Sequence, residues 1–151
     1  MSSPDPSSSS SAADARFSRF LGASLSALRA EVPEAYAAMC GALAPRALRL
    51  DVDGEIVTIR FDPRAVVEVP SSEPAAVSLR ASRASILAVI DAQHSLVSAT
   101  LAGALDLCGT PTDVAAFHDA FVRYLQGGVR APSFPRLLAA FRQTTRQGGT
   151  S

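Results

Sequence analysis

The chain has 151 residues, of which 48% are hydrophobic and 19% charged, and its 14 basic and 14 acidic side chains give a formal net charge of zero. This composition excludes a wholly disordered chain, and no apolar run approaches the roughly 18 residues of a membrane span. The balanced charge also argues against nucleic acid as a partner, because non-specific binding to phosphates requires a basic surface.

Residues 1–12 are rich in serine and proline, which predicts a disordered tail before a single domain over residues 13–147. The tail lacks the basic and apolar regions of a secretory signal, so we expect a cytoplasmic protein. Cys40 and Cys108 have no Cys or His at metal-ligand spacing, and two cysteines do not make a disulfide framework. We therefore predict two buried free thiols, no metal site and no cofactor.

Two helices are predicted at the start of the domain. Apolar residues recur at steps of three and four between residues 13 and 32, while the arginines lie mainly on the other face. Pro33 then opens a second helix with Glu34 in its first turn, and Pro45 ends it. We expect this pair to form one layer of the domain.

Beyond the second helix the apolar period changes to two, which is typical of strands. Two alternating runs flank Asp53-Gly54, a strong hairpin signal. A third strand is predicted over residues 64–69, and a fourth is predicted around Val77 and Leu79. We expect these four strands to form an antiparallel meander.

Helices and one further strand follow. Ser82 is predicted to cap a helix that reaches residue 92, and a shorter helix is predicted over residues 95–102. Gly103 ends this shorter helix, because glycine tolerates the left-handed conformation of a helix C-cap. Residues 104–108 then alternate as a fifth strand.

The last two helices have clear signals. Thr110, followed by Pro111 and Asp113, predicts the start of a helix, and Gly127-Gly128 is predicted to end that helix. Residues 134–146 form an amphipathic pattern in which arginines flank an apolar face. This C-terminal helix is the candidate for peripheral contact with a membrane, and an ordinary helix docked on the domain is the alternative.

The order of these elements resembles the sterol-carrier-protein-like lipid-binding family, also called the sterol carrier protein type two domain. The resemblance is carried by an apolar-x-apolar strand, a helix, a short Ala-containing helix, a Gly, an alternating strand and a second Gly. In this chain these parts are Val77–Leu79, Ile86–Ile90, Ala99, Gly103, Leu105–Leu107 and Gly109. The chain departs from the family at residues 91–95, where a Gly-containing turn is usual, and in lacking charged residues around Gly103.

The resemblance implies an α+β fold with a five-stranded, mostly antiparallel sheet covered by helices. It also implies non-catalytic binding of a lipid or other hydrophobic small molecule in a tunnel between sheet and helices. Some bacterial relatives serve as accessory factors in isoprenoid-quinone biosynthesis, so the implied partner is a biosynthetic enzyme.

The candidate ligand-binding residues are apolar and belong to the helices, where each is equally suited to a plain core. They are Ile86, Leu87, Ile90, Leu101, Phe117, Phe121 and Leu125. His118 borders the Phe117 and Phe121 face and is the candidate polar group in an otherwise apolar pocket.

Catalytic signals are weak. The sequence contains no P-loop, GxGxxG, GxSxG or HExxH motif, and His94 and His118 are too far apart in sequence to be paired by spacing. We therefore predict a binding protein. Two alternatives stay open: a small isomerase or cyclase that uses His118 or an aspartate as base, and an oligomeric scaffold whose apolar helix faces form the interface.

Overall fold

The computed structural model describes residues 17–90, 103 and 105–148, with side chains as far as residue 143. Its helices are α1 (Phe17–Glu31), α2 (Pro33–Leu43), α3 (Arg83–Ile90), α4 (Pro111–Arg130) and α5 (Phe134–Gly148). Its strands are β1 (Ala47–Val52), β2 (Glu55–Phe61), β3 (Val66–Val69), β4 (Val77–Ala81) and β5 (Leu105–Cys108). The α+β class is confirmed, whereas the predicted tail and the predicted helix over 95–102 lie outside the described residues.

The five strands form one sheet in the order β3-β2-β1-β4-β5, with β1 and β4 parallel and the other neighbours antiparallel. The mostly antiparallel sheet is therefore confirmed, but the predicted meander is wrong at β4. Residues 70–76 carry the chain across to the far side of β1, where the Ala76 N–H donates to the Ala47 carbonyl at 2.9 Å. This route places the apolar β4, with Val77 and Leu79 almost fully buried, between β1 and β5, and leaves β3 at the edge.

The β1–β2 hairpin has the turn that Asp53-Gly54 predicts. Both residues have positive φ, 54° and 85°, as a two-residue hairpin turn of this type requires. The Gly54 N–H donates to a carboxylate oxygen of Asp51 at 3.0 Å. The turn fixes the register in which Leu50 lies opposite Val57.

Strand alternation sends apolar side chains to the one face of the sheet that the helices cover. The buried residues on this face are Leu48, Leu50, Val52, Val57, Ile59, Phe61, Val77, Leu79 and Leu105. On the opposite face, the Arg49 guanidinium donates to the Ser71 carbonyl at 2.6 Å. The inner face of the sheet therefore forms one wall of the core, and the helices form the other.

The two cysteines have different environments. Cys40 is buried in α2, and burial raises the pKa of its thiol. Cys108 is exposed, so the prediction that it is buried was wrong. Alternation along β5 explains the difference, since Leu105 takes the inward phase and Cys108, three residues on, takes the outward phase.

The start of α4 is tied to the sheet by a cap and an ion pair. Thr110 Oγ1 accepts the Asp113 N–H at 3.1 Å, as the sequence predicts for a helix cap. Asp113 Oδ1 in turn accepts a hydrogen bond from Arg46 Nε, immediately before β1, at 2.6 Å. The hydrogen bond from Arg46, with a smaller contribution from Thr110, holds the pKa of Asp113 below its usual value.

This lowered pKa predicts a pH-dependent contribution of Asp113 to stability. The contribution is present above the unfolded-state value of 3.8 and is lost as the pH falls through the lower folded-state pKa. Asp113→Asn should therefore be less stable than the wild type at neutral pH, with a smaller difference at about pH 2. Urea unfolding at both pH values measures this, with Asp119→Asn on the same helix as the control. An equal difference at both pH values would contradict it.

The predicted end of α4 at Gly127-Gly128 is wrong, because the helix continues to Arg130. Both glycines are buried. A Cβ on Gly127 would lie 2.5 Å from Leu28 Cδ1, and a Cβ on Gly128 would lie 2.9 Å from the Phe134 ring. The two glycines therefore allow Leu28 and Phe134 to pack closely against α4, and the helix continues through them.

The apolar face of α5 packs on α1. Phe141 stacks on Phe20 with ring centroids 4.6 Å apart, and it also contacts Phe17 at 6.1 Å. Leu137 and Leu138 are partly buried against the same core. Among the described residues no helix has both the length and the hydropathy to cross a membrane. Contact between α5 and a membrane surface stays a prediction.

Candidate ligand-binding cavity

An apolar cavity of about 80 Å³ lies between the inner face of the sheet and the helices. The sheet contributes Leu48, Leu50, Ile59, Phe61 and Leu79. The helices contribute Phe17, Leu21, Leu25, Met39, Leu43, Ile86, Ile90, Phe117, Ala120, Phe121 and Tyr124. The cavity is thus the place where the two layers of the core do not fully interlock.

Four of the residues predicted from the sequence meet at this cavity: Ile86, Ile90, Phe117 and Phe121. Leu87 is buried and Leu125 is partly buried, and both pack in the core without lining the cavity. Leu101 lies outside the described residues.

Sequence reasoning did not assign α1 or the sheet to the site. Phe17, Leu21 and Leu25 recur every four residues, so the apolar stripe of α1 was visible. Hydrophobic periodicity identifies the apolar face of a helix. It does not show which apolar face borders a cavity, because that depends on how the sheet and the helices pack together.

The structure does not bring His118 to the cavity. Its side chain is exposed on α4, whereas its neighbour Phe117 points inward. Successive residues of a helix are rotated by about 100°, which separates the two directions. His94, the other histidine, lies outside the described residues.

Among the described lining residues the cavity has a single hydroxyl group, that of Tyr124. It lies 2.7 Å from Ser24 Oγ, and both residues are buried. Ser24 donates its only proton to the Leu21 carbonyl at 2.9 Å, so Tyr124 must donate to Ser24. Burial raises the pKa of Tyr124 well above its usual range, which keeps the phenol neutral.

The chemistry of the cavity follows from this inventory. Its described lining carries no charge, and the hydroxyl proton of Tyr124 is already used. An ionised group would lose its hydration there without compensation, whereas an alkyl or isoprenoid group would not. In the part of the chain that the structure describes, no group of three His, Cys, Asp or Glu residues is arranged to hold a metal ion.

A second hollow, here called the α1 groove, lies on the surface between α1 and strands β2 and β3 and has a volume of about 260 Å³. It is lined by Ser18, Leu21, Gly22, Leu25, Ser26, Arg29, Tyr36, Val57, Ile59, Val66 and Glu68. Leu21, Leu25 and Ile59 also line the cavity, so they form the wall between the two spaces.

Polar contacts position the walls of the α1 groove. The Glu55 carboxylate accepts the N–H groups of Phe17 and Ser18 at 3.2 and 3.0 Å, which holds the start of α1 against β2. Tyr36 Oη accepts the Val66 N–H at 2.9 Å, which joins α2 to β3. The guanidinium carbon of Arg29 lies 5.7 Å from the Tyr36 ring centroid, a cation–π distance.

The fold and the cavity define an α+β domain in which an apolar space lies between a mixed sheet and the helices on one of its faces. No protein-family model and no curated protein matches the chain.

Three solved structures show what the chain is similar to. The UbiJ-SCP2 ubiquinone synthesis protein is 20% identical with a TM-score of 0.47, over 58% of this chain and 75% of that chain. Sterol carrier protein 2 like 2 from Aedes aegypti is 15% identical with a TM-score of 0.43, over 62% and 94%. Sterol carrier protein 2 from Yarrowia lipolytica, in its apo form, is 12% identical with a TM-score of 0.46, over 72% and 89%. All three are of the sterol-carrier-protein-like kind that the sequence resembles.

Proposed function

We propose that this protein binds a lipid or another hydrophobic small molecule, without catalysis, by enclosing its apolar part between the sheet and the helices. It would act as a carrier or as an accessory to a biosynthetic enzyme. The observation that carries the proposal is the cavity lining, which is apolar among the described residues except for the hydrogen-bonded hydroxyl of Tyr124.

The expected affinity follows from the apolar area that binding removes from water. Each buried methylene contributes about 0.8 kcal/mol, so about ten methylenes contribute roughly 8 kcal/mol before the cost of immobilising the ligand. Micromolar binding also corresponds to about 8 kcal/mol, so further contacts must offset the cost of immobilising the ligand.

The size of the cavity sets a condition on binding. Its 80 Å³ accommodates about two or three methylene-sized groups, if each takes about the 30 Å³ of a water molecule. A longer chain must displace side chains, and Leu21, Leu25, Ile90 and Phe121 are the partly buried members of the lining. All four belong to helices, so we expect a ligand to move helices away from the sheet while the strand pairing persists.

Dodecanol tests the proposal, because it has an uncharged head and a long alkyl chain. Calorimetric titration below its solubility limit should show binding with a negative heat-capacity change, the mark of apolar burial. Native mass spectrometry of protein purified from its own host should show a retained small molecule. A ligand-free protein that neither binds dodecanol nor gains thermal stability from it would contradict the proposal. A stable ligand-free dimer would favour the scaffold alternative.

A further inference from the structure

The α1 groove has the composition of a site for the polar end of a ligand. Its inner wall, formed by Leu21, Leu25 and Ile59, is shared with the cavity. Its outer part carries Ser18, Ser26, Arg29 and Glu68. A molecule that spans the wall would therefore meet apolar side chains at one end and charged or hydroxyl groups at the other.

The charges of the groove limit the kind of head group. Arg29 forms no ion pair with any carboxylate of the described residues, and its guanidinium lies over the Tyr36 ring. Glu68, on the exposed edge strand β3, lines the same groove. One cation and one carboxylate favour a head with a single negative charge, because a second negative charge would be repelled by Glu68.

Gly22 keeps the groove open beside the wall. It lines the groove, and a Cβ at this position would meet no atom within 4 Å. Glycine is a poor residue for a helix interior, yet its φ is negative here, so no backbone strain requires it. A larger side chain at this position can extend into the groove.

We propose that the α1 groove binds the acidic head of a single-chain amphiphile whose tail crosses between Leu21, Leu25 and Ile59 into the cavity. Arg29 pairs with the head, and Glu68 selects for a single negative charge. This inference rests on the proposed function, since it places the other end of the same ligand.

Three probes with one tail and different heads test the inference: dodecanol, dodecanoate and dodecyl phosphate. Each is titrated by calorimetry, dodecanol below its solubility limit and the two charged probes below their critical micelle concentrations. Arg29→Gln should weaken dodecanoate about five-fold, the effect of an exposed ion pair near the upper end of its range, and change dodecanol less than about two-fold. Glu68→Gln should strengthen dodecyl phosphate more than dodecanoate, because the doubly charged head is repelled more. Arg19→Gln, an exposed arginine of α1 outside the groove, controls for net charge.

A steric variant tests the location independently. Gly22→Phe should weaken dodecanoate by about ten-fold or more, since the head loses its ion pair and its space. Gly41→Phe is the matched control, because Gly41 is an exposed helix glycine with equally open surroundings and lies outside the groove.

The outcomes separate the two proposals. If the wild type binds dodecanol and Arg29→Gln changes dodecanoate no more than Arg19→Gln does, the head site is overturned while the cavity proposal stands. Equal weakening of dodecanol and dodecanoate by Arg29→Gln also overturns the head site, because that pattern indicates damage to the fold. If none of the three probes binds the wild type, the proposed function fails first.

Discussion

Replacing Gly127 with alanine is expected to lower the free energy of unfolding by about 2 kcal/mol, a typical cost of overpacking. The added Cβ would lie 2.5 Å from Leu28 Cδ1 and 2.9 Å from Ala35 Cβ, so α4 would have to move away from α1 and α2. Leu28 is fully buried and cannot turn aside without disturbing its neighbours. Urea unfolding followed by far-ultraviolet circular dichroism measures the loss.

The same substitution at Gly22 should have the opposite sign. Gly22 is also inside a helix, but a Cβ there meets nothing within 4 Å. Alanine should therefore raise the free energy of unfolding by about 0.5–1 kcal/mol, the usual difference in helix propensity. If Gly127→Ala proved as stable as the wild type, the close approach of the helices at Gly127 would be wrong.

Replacing Ala120 with leucine is expected to weaken dodecanol binding about 50-fold, because the larger side chain fills space that the ligand would use. Ala120 lies on α4, is buried and lines the cavity. Leucine adds three heavy atoms, close to the volume of the free space, and removes burial of about three methylenes of ligand at about 0.8 kcal/mol each.

The stability of this variant distinguishes a filled cavity from a damaged core. Filling an apolar void should leave the free energy of unfolding within about 1 kcal/mol of the wild type, since added burial offsets strain. Ala115→Leu is the matched control, because Ala115 is exposed on the same helix. A folded Ala120→Leu protein that binds dodecanol as tightly as the wild type would contradict binding in the cavity.

Local features of the fold were predictable because their causes are local. The Asp53-Gly54 turn depends on two neighbouring residues that tolerate positive φ, and the α4 cap depends on Thr110 and Asp113. Gly103 likewise has a positive φ, 79°, as its predicted left-handed conformation requires. Each is decided within a few residues along the chain.

The candidate site was predictable only in part. Ile86, Ile90, Phe117 and Phe121 were chosen as apolar helix residues, and they do line the cavity. Leu87 is also an apolar residue of a predicted helix, but it packs in the core and does not line the cavity. His118 also had a favourable position in sequence, but the rotation of α4 turns it to solvent. A filled core and a lined cavity use the same residue types, so composition cannot separate them.

For the elements that the structure describes, the sequence by itself determined the types, most of the boundaries and the apolar faces, because hydrophobic periodicity and caps act over short distances. Tertiary structure decided the rest. It placed β4 beside β1 in parallel, since a seven-residue connection allows β4 to join either side of the hairpin. It also decided the role of Gly127 inside α4. The approach of Leu28 requires a residue without a side chain there, and Leu28 lies about 100 residues away along the chain.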